Sequence, residues 1–469
     1  MMTDLIAKLK TVVDEAGLLQ GEDVANRAIH VWRDEPITAV AIVRPTSTEQ
    51  VAEILKICND AKQPIIAHGG RTGLVKSGDA EPHELILSLE RMNEIEEIDT
   101  VGRTMRVKAG TPLQTIQEAA EQEGLSFPLD LGARGTCQIG GNVSTNAGGN
   151  RVIRYGMTRD NVLGLEAVLS DGTVVSSLNE MIKNNAGYDL KQLFIGAEGT
   201  LGVITRLVLR LREATTEQDV GFVGFETFEQ VTGFLKHMDR SLGGTLSAFE
   251  VMWHDYFDLV TTAPATNIPP VEKKYPYYAL VESQGAVKGT AGFQHAMESA
   301  LEQELISDAA IAQSGADRMS MWAIRDSVEH FFRYGPVQIF DVSIPIRFID
   351  TYVDQVKTLL TENFDAHHCF TLGHIGDGNV HFAIHVADAT DETRQLVEQC
   401  VYTPLEPYGG SVSAEHGIGL EKKPYLQTSR SDTEVALMRK LKQALDPNDI
   451  LNPGKIFEYQ GAVVPTQID

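Results

Sequence analysis

Between Asp130 and Gly156 glycines recur at positions 132, 135, 140, 141, 148, 149 and 156, interleaved with Asn142, Ser144, Thr145 and Asn146. Few folds accommodate such a run. Without Cβ atoms, successive backbone N–H groups can face one point, and the hydroxyl and amide side chains add neutral donors, so the stretch can wrap a pyrophosphate without lysines. Ile139, Val143 and Ile153, spaced through it, tie it to a core in a way that a polar linker would not be tied. The overall charge agrees. With 40 Lys and Arg against 65 Asp and Glu the net charge is −25, which argues against nucleic-acid backbones and anionic membranes as main partners and leaves any anionic ligand to local groups.

Upstream, a buried strand over 38–43 precedes Ser47-x-x-Gln50, a capping box. That box opens a helix whose Val51, Ile54, Leu55 and Cys58 form one stripe. A short strand, Pro64 to Ala67, then runs into His68-Gly-Gly-Arg-Thr-Gly-Leu74. This order is that of an α/β nucleotide-binding unit, with the ligand where the strands end. The loop matches neither a Rossmann fingerprint nor a P-loop. Downstream, 162–175 reads as a hairpin around Ser170-Asp-Gly-Thr173, and Gly196, Gly199 and Gly202 stand three apart before a strand over 203–211.

A chain of 469 residues predicts two or three domains. The pattern changes near 214, after which strands and helices alternate as an α+β layer. The expected division is an N-terminal helical segment (1–35), a glycine-loop domain (36–213), a second domain (214–420) and a C-terminal segment (421–469) with a helix over 434–445. No apolar run is long enough to cross a membrane, and the first residues lack a signal-peptide core, so a cytoplasmic protein is expected. Cys58, Cys137, Cys369 and Cys400 form no Cys-x-x-Cys pair, which leaves reduced thiols and no iron–sulfur cluster.

Gly373-His-Ile-Gly-Asp-Gly-Asn-Val-His381 carries the second body of chemistry. If Asp377-Gly378 is a two-residue hairpin loop, His374 lies opposite His381, and two imidazoles about 5 Å apart at Cβ can share a cation. A carboxylate from Ser413-Ala-Glu-His-Gly-Ile-Gly419 would complete a two-His-one-carboxylate set suited to Zn²⁺, Mn²⁺ or Fe²⁺. With Glu415 as ligand, adjacent His416 is left to act as a base. Trp322-Ala-Ile-Arg325 reads as a partly buried helix whose arginine needs an anionic partner, and Asn379 would orient the hairpin or the ligand.

The glycine pieces, Gly69 to Gly73, Cys137 to Gly149, Arg154-Tyr-Gly156 and Gly196 to Gly202, occur in an order that resembles the FAD-binding domain of the vanillyl-alcohol oxidase type. The resemblance implies two α/β subdomains with the flavin between them, joined to an α+β substrate (cap) domain, with the C-terminal segment returning to the FAD domain. It also implies flavin contacts from Gly69, Gly70, Arg71, Thr72, Gly73 and Leu74. Further contacts would come from Pro128, Gly132, Cys137, Gly140, Gly141, Asn142, Ser144, Thr145, Asn146, Gly148, Gly149, Tyr155 and Gly156. Glu198, Gly199, Gly202, Val203, Ile204, Asn452 and Lys455 complete the set. Arg71 stands where some members carry a flavin-linked histidine, so the expected FAD is non-covalent.

The two histidine motifs resemble those of FAD-linked D-2-hydroxy acid dehydrogenases, the group of D-lactate, D-2-hydroxyglutarate and glycolate dehydrogenases, and the resemblance spans roughly 36–457. It implies a divalent metal on His374, His381 and Glu415, His416 as the base, Arg325 on the substrate carboxylate, and transfer of the C2 hydrogen to flavin. Enzymes for hydroxyglutarate carry a lysine, a threonine and an asparagine where this chain has Ile339, Glu329 and Ala383. A monocarboxylic substrate such as D-lactate or a longer apolar acid is therefore expected over hydroxyglutarate. The acceptor would be a quinone or an electron-transfer flavoprotein, on a protein peripheral to the inner membrane and compatible with a homodimer. An alkyl-ether-lipid transferase shares the flavin fold and is the alternative of another class.

Overall fold

A computed structural model describes residues 2–215, 217–285, 292–388 and 390–459. It separates into two units. The first comprises the residues up to Gly148, Met157–Ala214 and the chain from Glu415, and the second comprises Gly149–Gly156 and Thr215–Ala414. Residues 460–469 of the expected C-terminal segment lie outside the described residues.

The first unit contains two sheets. Strands β1 (Leu18–Gln20), β2 (Ala41–Val43), β3 (Ile65–His68) and β4 (Leu85–Ser88) lie in the order β1-β2-β4-β3. β2 and β3 run parallel to β4, and β1 is an antiparallel edge. The parallel strands bury both faces, as such strands do: Ala41, Val43, Ile65, Leu85 and Leu87 face one core, and Ile42, Ile66 and Ile86 the other. Helix α1 (Met2–Val12) and helix α2 (Thr48–Ala61) supply apolar stripes to the first core. Ser47 Oγ accepts from Gln50 N–H at the start of α2, while the Gln50 side chain turns back to Thr46 N–H. The second sheet takes β5 (Ile95–Asp99), β6 (Thr104–Lys108), β7 (Val162–Val168), β8 (Val174–Ser177) and β9 (Val203–Arg210) in the order β8-β7-β9-β6-β5.

The second unit is built on one antiparallel seven-stranded sheet. Its strands β10 (Gln218–Phe225), β11 (Leu246–Trp253), β12 (Tyr277–Gln284), β13 (Asp308–Ile311), β14 (Gln338–Ser343), β15 (His367–His374) and β16 (Asn379–Val386) lie in the order β13-β10-β12-β11-β15-β16-β14. One face packs Val220, Phe222, Met252, Tyr278, Leu280, Phe370, Leu372 and Ala383 against Tyr256, Phe257, Met321 and Ile324 of the covering helices. Phe225 and Phe249 meet Phe234 of the helix Phe228–Leu242.

Three departures from the expected boundaries have local causes. The 1–35 segment is helical mainly over α1: past Gly17 the chain becomes edge strand β1, and Ala28–His30 then pairs with Arg33–Pro36. Gly149–Gly156, expected in the FAD domain, belongs to the second unit because its arginines are held there. Arg151 forks onto the buried Glu282 at 2.9 and 3.2 Å, and Arg154 donates to the Thr245 and Gln284 carbonyls. The return to the first unit falls at Glu415, ahead of the expected 421.

In that returning segment the helix Asp432–Leu445 is closed by a Ser431/Glu434 capping box. Buried Lys442 meets Asp446 at 2.6 Å and the Leu451 carbonyl at 2.7 Å, and Leu451 bridges to Ile65, which fixes the tail beside β3. Among the described residues no helix is long and apolar enough to cross a membrane.

Candidate active site

In the first unit, β3 ends in the loop His68 to Gly73, which with the 137–145 stretch and the 198–204 turn lines an open cleft. A Cβ on Gly70 would stand 2.2 Å from the Thr136 carbonyl, and one on Gly140 would stand 2.7 Å from Ala109 Cβ. These glycines let the loops touch. Of the expected cofactor residues, Gly69, Gly70, Arg71, Thr72, Gly73, Cys137, Gly140, Gly141, Asn142, Ser144, Thr145, Glu198, Gly199, Gly202, Val203, Ile204 and Asn452 line the cleft. Leu74, Pro128, Gly132, Asn146, Gly148 and Lys455 are in the same unit but not in the lining, and Gly149, Tyr155 and Gly156 belong to the second unit.

The residues fit a polar, anionic cofactor. His30 Nε2, Gln138 Oε1 and Asn142 Oδ1 are buried without a partner among the described residues, and all three residues line the cleft. Buried polar atoms seldom go unpaired, so these are atoms for a ligand to satisfy. Arg71 adopts φ 58° and donates to the Ala28 carbonyl, which leaves no histidine for a flavin link at this position.

Two expected contacts turn out to shape the wall. Glu198 accepts from Ile418 N–H at 2.7 Å, Gly419 N–H at 2.9 Å and Ser77 Oγ at 2.6 Å; burial pushes its carboxyl above the usual range, against these three donors. Asn452 accepts from Ala67 N–H and donates to the Glu198 carbonyl. The Glu198 clamp anchors the turn after His416, which itself lines the cleft. Glu415, one residue earlier, lays its carboxylate against Gly148, where a Cβ would stand 2.5 Å from Oε1. Lys455 is buried and donates to the Asp79 carbonyl at 2.8 Å.

In the second unit the hairpin differs from expectation. Its ladder pairs Leu372 with His381, and Thr371 with Phe382, because Ile375–Asp377 forms a 3-10 turn before Gly378 at φ 87° and so lengthens the connection. His374 therefore does not oppose His381; it pairs with Glu250 of β11. The slip is two residues, which preserves the face. The two imidazoles meet edge to face with centroids 5.3 Å apart.

Each histidine has a carboxylate on its Nδ1 side. Glu250 Oε1 lies 2.7 Å from His374 Nδ1, and buried Asp341 lies 3.8 Å from His381 Nδ1. Glu250 also accepts from Arg325 Nε at 2.7 Å, and Arg325 Nη2 reaches His374 Nε2 at 3.3 Å. This network places the His374 proton on Nδ1 and its lone pair on Nε2, the tautomer a metal ligand requires. Burial opposes ionisation of Glu250, but His374 and Arg325 outweigh it and hold the carboxyl below its usual range. Arg325 stays charged: burial works against it and Glu250 prevails. Asn379 donates to Asp341 at 2.7 Å, and its buried Oδ1 has no partner among the described residues. Burial pushes the Asp377 carboxyl up to about 6, with His374 opposing.

His374, His381, Arg325 and Asn379 thus share one neighbourhood, whose imidazole pair suits a transition-metal dication and whose guanidinium suits a carboxylate. Glu250 and Asp341 were missed from the sequence. The available signal was a carboxylate inside an apolar strand, Ala248-Phe-Glu-Val-Met252. His30 and the Lys76–Asp79 turn were missed in the cleft; only the closeness of Ser77-Gly-Asp79 to the first glycine loop pointed to them.

Family models match in both units. Residues 39–177 match the family model "FAD binding domain", and residues 215–456 match "FAD linked oxidases, C-terminal domain". A D-2-hydroxyglutarate dehydrogenase of Xanthomonas citri pv. viticola is 38% identical over 93% of this chain and 92% of that protein. A putative mitochondrial D-lactate dehydrogenase of Schizosaccharomyces pombe is 37% identical over 88% of this chain and 81% of that protein. In fold, p-cresol methylhydroxylase superposes with a TM-score of 0.75 over 97% of both chains at 15% identity. The glycine-lined cleft, the paired histidines and these matches together establish that the chain belongs to the FAD-linked D-2-hydroxy acid dehydrogenase family, with a vanillyl-alcohol-oxidase-type FAD-binding domain.

Proposed function

We propose that the protein oxidises a monocarboxylic D-2-hydroxy acid, D-lactate or a longer apolar homologue, to the 2-oxo acid, using non-covalent FAD and a divalent cation, Zn²⁺ or Mn²⁺. The observation that carries the reading is the meeting of His374, His381, Arg325 and Asn379 on one sheet face in a chain of this family. Bound FAD supplies a two-electron acceptor for the C2 hydrogen, and a cation on His374, His381 and Glu415 supplies Lewis acidity toward the hydroxyl. Arg325, gripped at Nε, offers its Nη groups to the C1 carboxylate. His416 takes the hydroxyl proton at an imidazole nitrogen. Asn379 Oδ1 orients the hydroxyl.

The next row of the sheet supports the monocarboxylic reading. Ile339 pairs with Ala383, and Asp341 with His381, so the apolar pair lies two residues, roughly 7 Å, along the same face. Ile339 is 39% exposed and Glu329 is exposed. Neither Ile339 nor Ala383 offers a donor to a distal carboxylate, and Glu329 repels one. The second reading, hydroxyglutarate, rests on the name of the Xanthomonas citri relative. Reoxidation by a quinone or an electron-transfer flavoprotein, a cytoplasmic position peripheral to the inner membrane and a homodimer belong to the same proposal.

Anaerobic bleaching of the flavin by D- and L-lactate, D-2-hydroxybutyrate, D-2-hydroxyisocaproate and D-2-hydroxyglutarate tests it. Fast bleaching by the D-monocarboxylates is expected. A strong preference for hydroxyglutarate would favour the second reading, and no bleaching by any of them would remove both.

A further inference from the structure

The carboxylate of Glu250 is 1% exposed and meets two side chains from different elements. Oε1 takes the Nδ1 proton of His374 on β15, and Oε2 takes the Nε proton of Arg325 on the helix Gly315–Asp326. The strand register directs this contact: Glu250 and His374 are directly opposed across β11 and β15, so both side chains leave the same face. Each donor thus has an oxygen of its own. His374 is fixed in the tautomer that presents Nε2, and the guanidinium is gripped at Nε, with Nη2 3.3 Å from His374 Nε2 and Nη1 3.7 Å from Asp326.

Resting on the function proposed above, we infer that Glu250 is a positioning residue shared by the cation site and the substrate-carboxylate site, so that one carboxylate sets the geometry of both. Arg325 Nη2 lies 3.3 Å from His374 Nε2, so a cation on that nitrogen and a hydrogen bond from Nη2 to it exclude each other. Cation binding therefore frees Nη2, while the grip on Nε keeps the guanidinium in place. Cation affinity and apparent substrate affinity are coupled through Glu250.

Glu250→Gln tests this in the FAD-loaded, cation-stripped enzyme. An amide presents one acceptor and one donor, so it can satisfy His374 or Arg325 but not both. Titration with Zn²⁺ or Mn²⁺ alone is expected to show affinity weakened about 10- to 100-fold. KM for the D-2-hydroxy acid should rise by a larger factor than flavin reduction at saturating cation and substrate falls. Glu250→Asp keeps the charge on a shorter arm and should fall between wild type and Gln on both measures. FAD content and the thermal transition report folding. A merely structural role would lower the transition and leave cation affinity per folded molecule at the wild-type value; that result in either variant overturns the inference. Wild-type enzyme that takes up no divalent cation instead overturns the functional reading itself.

Discussion

At the scale of single residues, the division of labour between His416 and the second unit's histidines can be separated experimentally. His416 lines the cleft on a turn held by the Glu198 clamp, so removing its ring leaves the backbone anchor and the flavin contacts in place. His416→Ala should retain FAD and lower the rate of flavin reduction by roughly 10²- to 10⁴-fold, the usual worth of a general base. Full activity in stopped-flow reduction would reassign the proton. Ile339 and Ala383 govern a different quantity. Replacing them together, Ile339→Lys with Ala383→Asn, restores two donors one row from His381. The ratio of kcat/KM for D-2-hydroxyglutarate over D-lactate should rise at least tenfold. An unchanged ratio would place the side-chain site elsewhere.

At the scale of elements, the loops after β3 depend on contacts that leave no space. Gly70→Ala puts a methyl group against the Thr136 carbonyl and Cys137 Cα, both backbone, so the two walls of the cleft must part. The variant should purify with substantially less FAD per chain. Normal flavin content would show that the walls give way freely. His68, at the end of β3, is buried with Nε2 2.6 Å from the Gly78 carbonyl, and burial pushes its pKa down to about 4. Because the unfolded imidazole titrates near 6.5, the unfolded chain binds the proton first. His68 therefore costs nothing above about pH 6.5 and destabilises progressively down to about pH 4, by up to about 3 kcal/mol. Denaturant unfolding at pH 7 and pH 4 should show this loss reduced in His68→Gln, whose amide still donates to Gly78. An equal loss in both proteins would contradict the assignment.

The elements also show what the sequence alone reveals. Helix stripes such as Val51, Ile54, Leu55 and Cys58 were legible because the period that buries them is local. The hairpin register was not. Asp377-Gly378 favours a two-residue loop, yet the 3-10 turn wins because Gly373 packs against the Asn379–Val380 backbone and Gly378 against the Ile344 carbonyl. The face of the histidines survived since side chains alternate with period two. Glu250 stood out as a carboxylate in an apolar strand, but its role was not legible, because its partners lie 75 and 124 positions away.

At the scale of the whole molecule, the chain divides chemistry between two cores. The first carries a glycine-lined cleft with unsatisfied polar atoms, and the second carries the paired histidines and the arginine. The crossover segment Gly149–Gly156 escaped the sequence reading because the glycine run looks continuous. Arg151 on Glu282, a carboxylate 131 residues away, and Arg154 on the Thr245 and Gln284 carbonyls show which core holds it. With Arg71 in place of a linking histidine, mild denaturation should release all the flavin into the supernatant as free FAD; flavin that stays on the precipitated chain would contradict a non-covalent cofactor.

The central claim, that the protein presents a D-2-hydroxy acid to flavin through a cation held by His374 and His381, is tested most directly by anaerobic flavin reduction before chelation, after complete cation removal, and after restoration of Zn²⁺ or Mn²⁺. Bleaching by a D-2-hydroxy acid is expected to be abolished by removal and recovered on restoration, with FAD bound throughout. Unchanged bleaching by the stripped, FAD-loaded enzyme would contradict it.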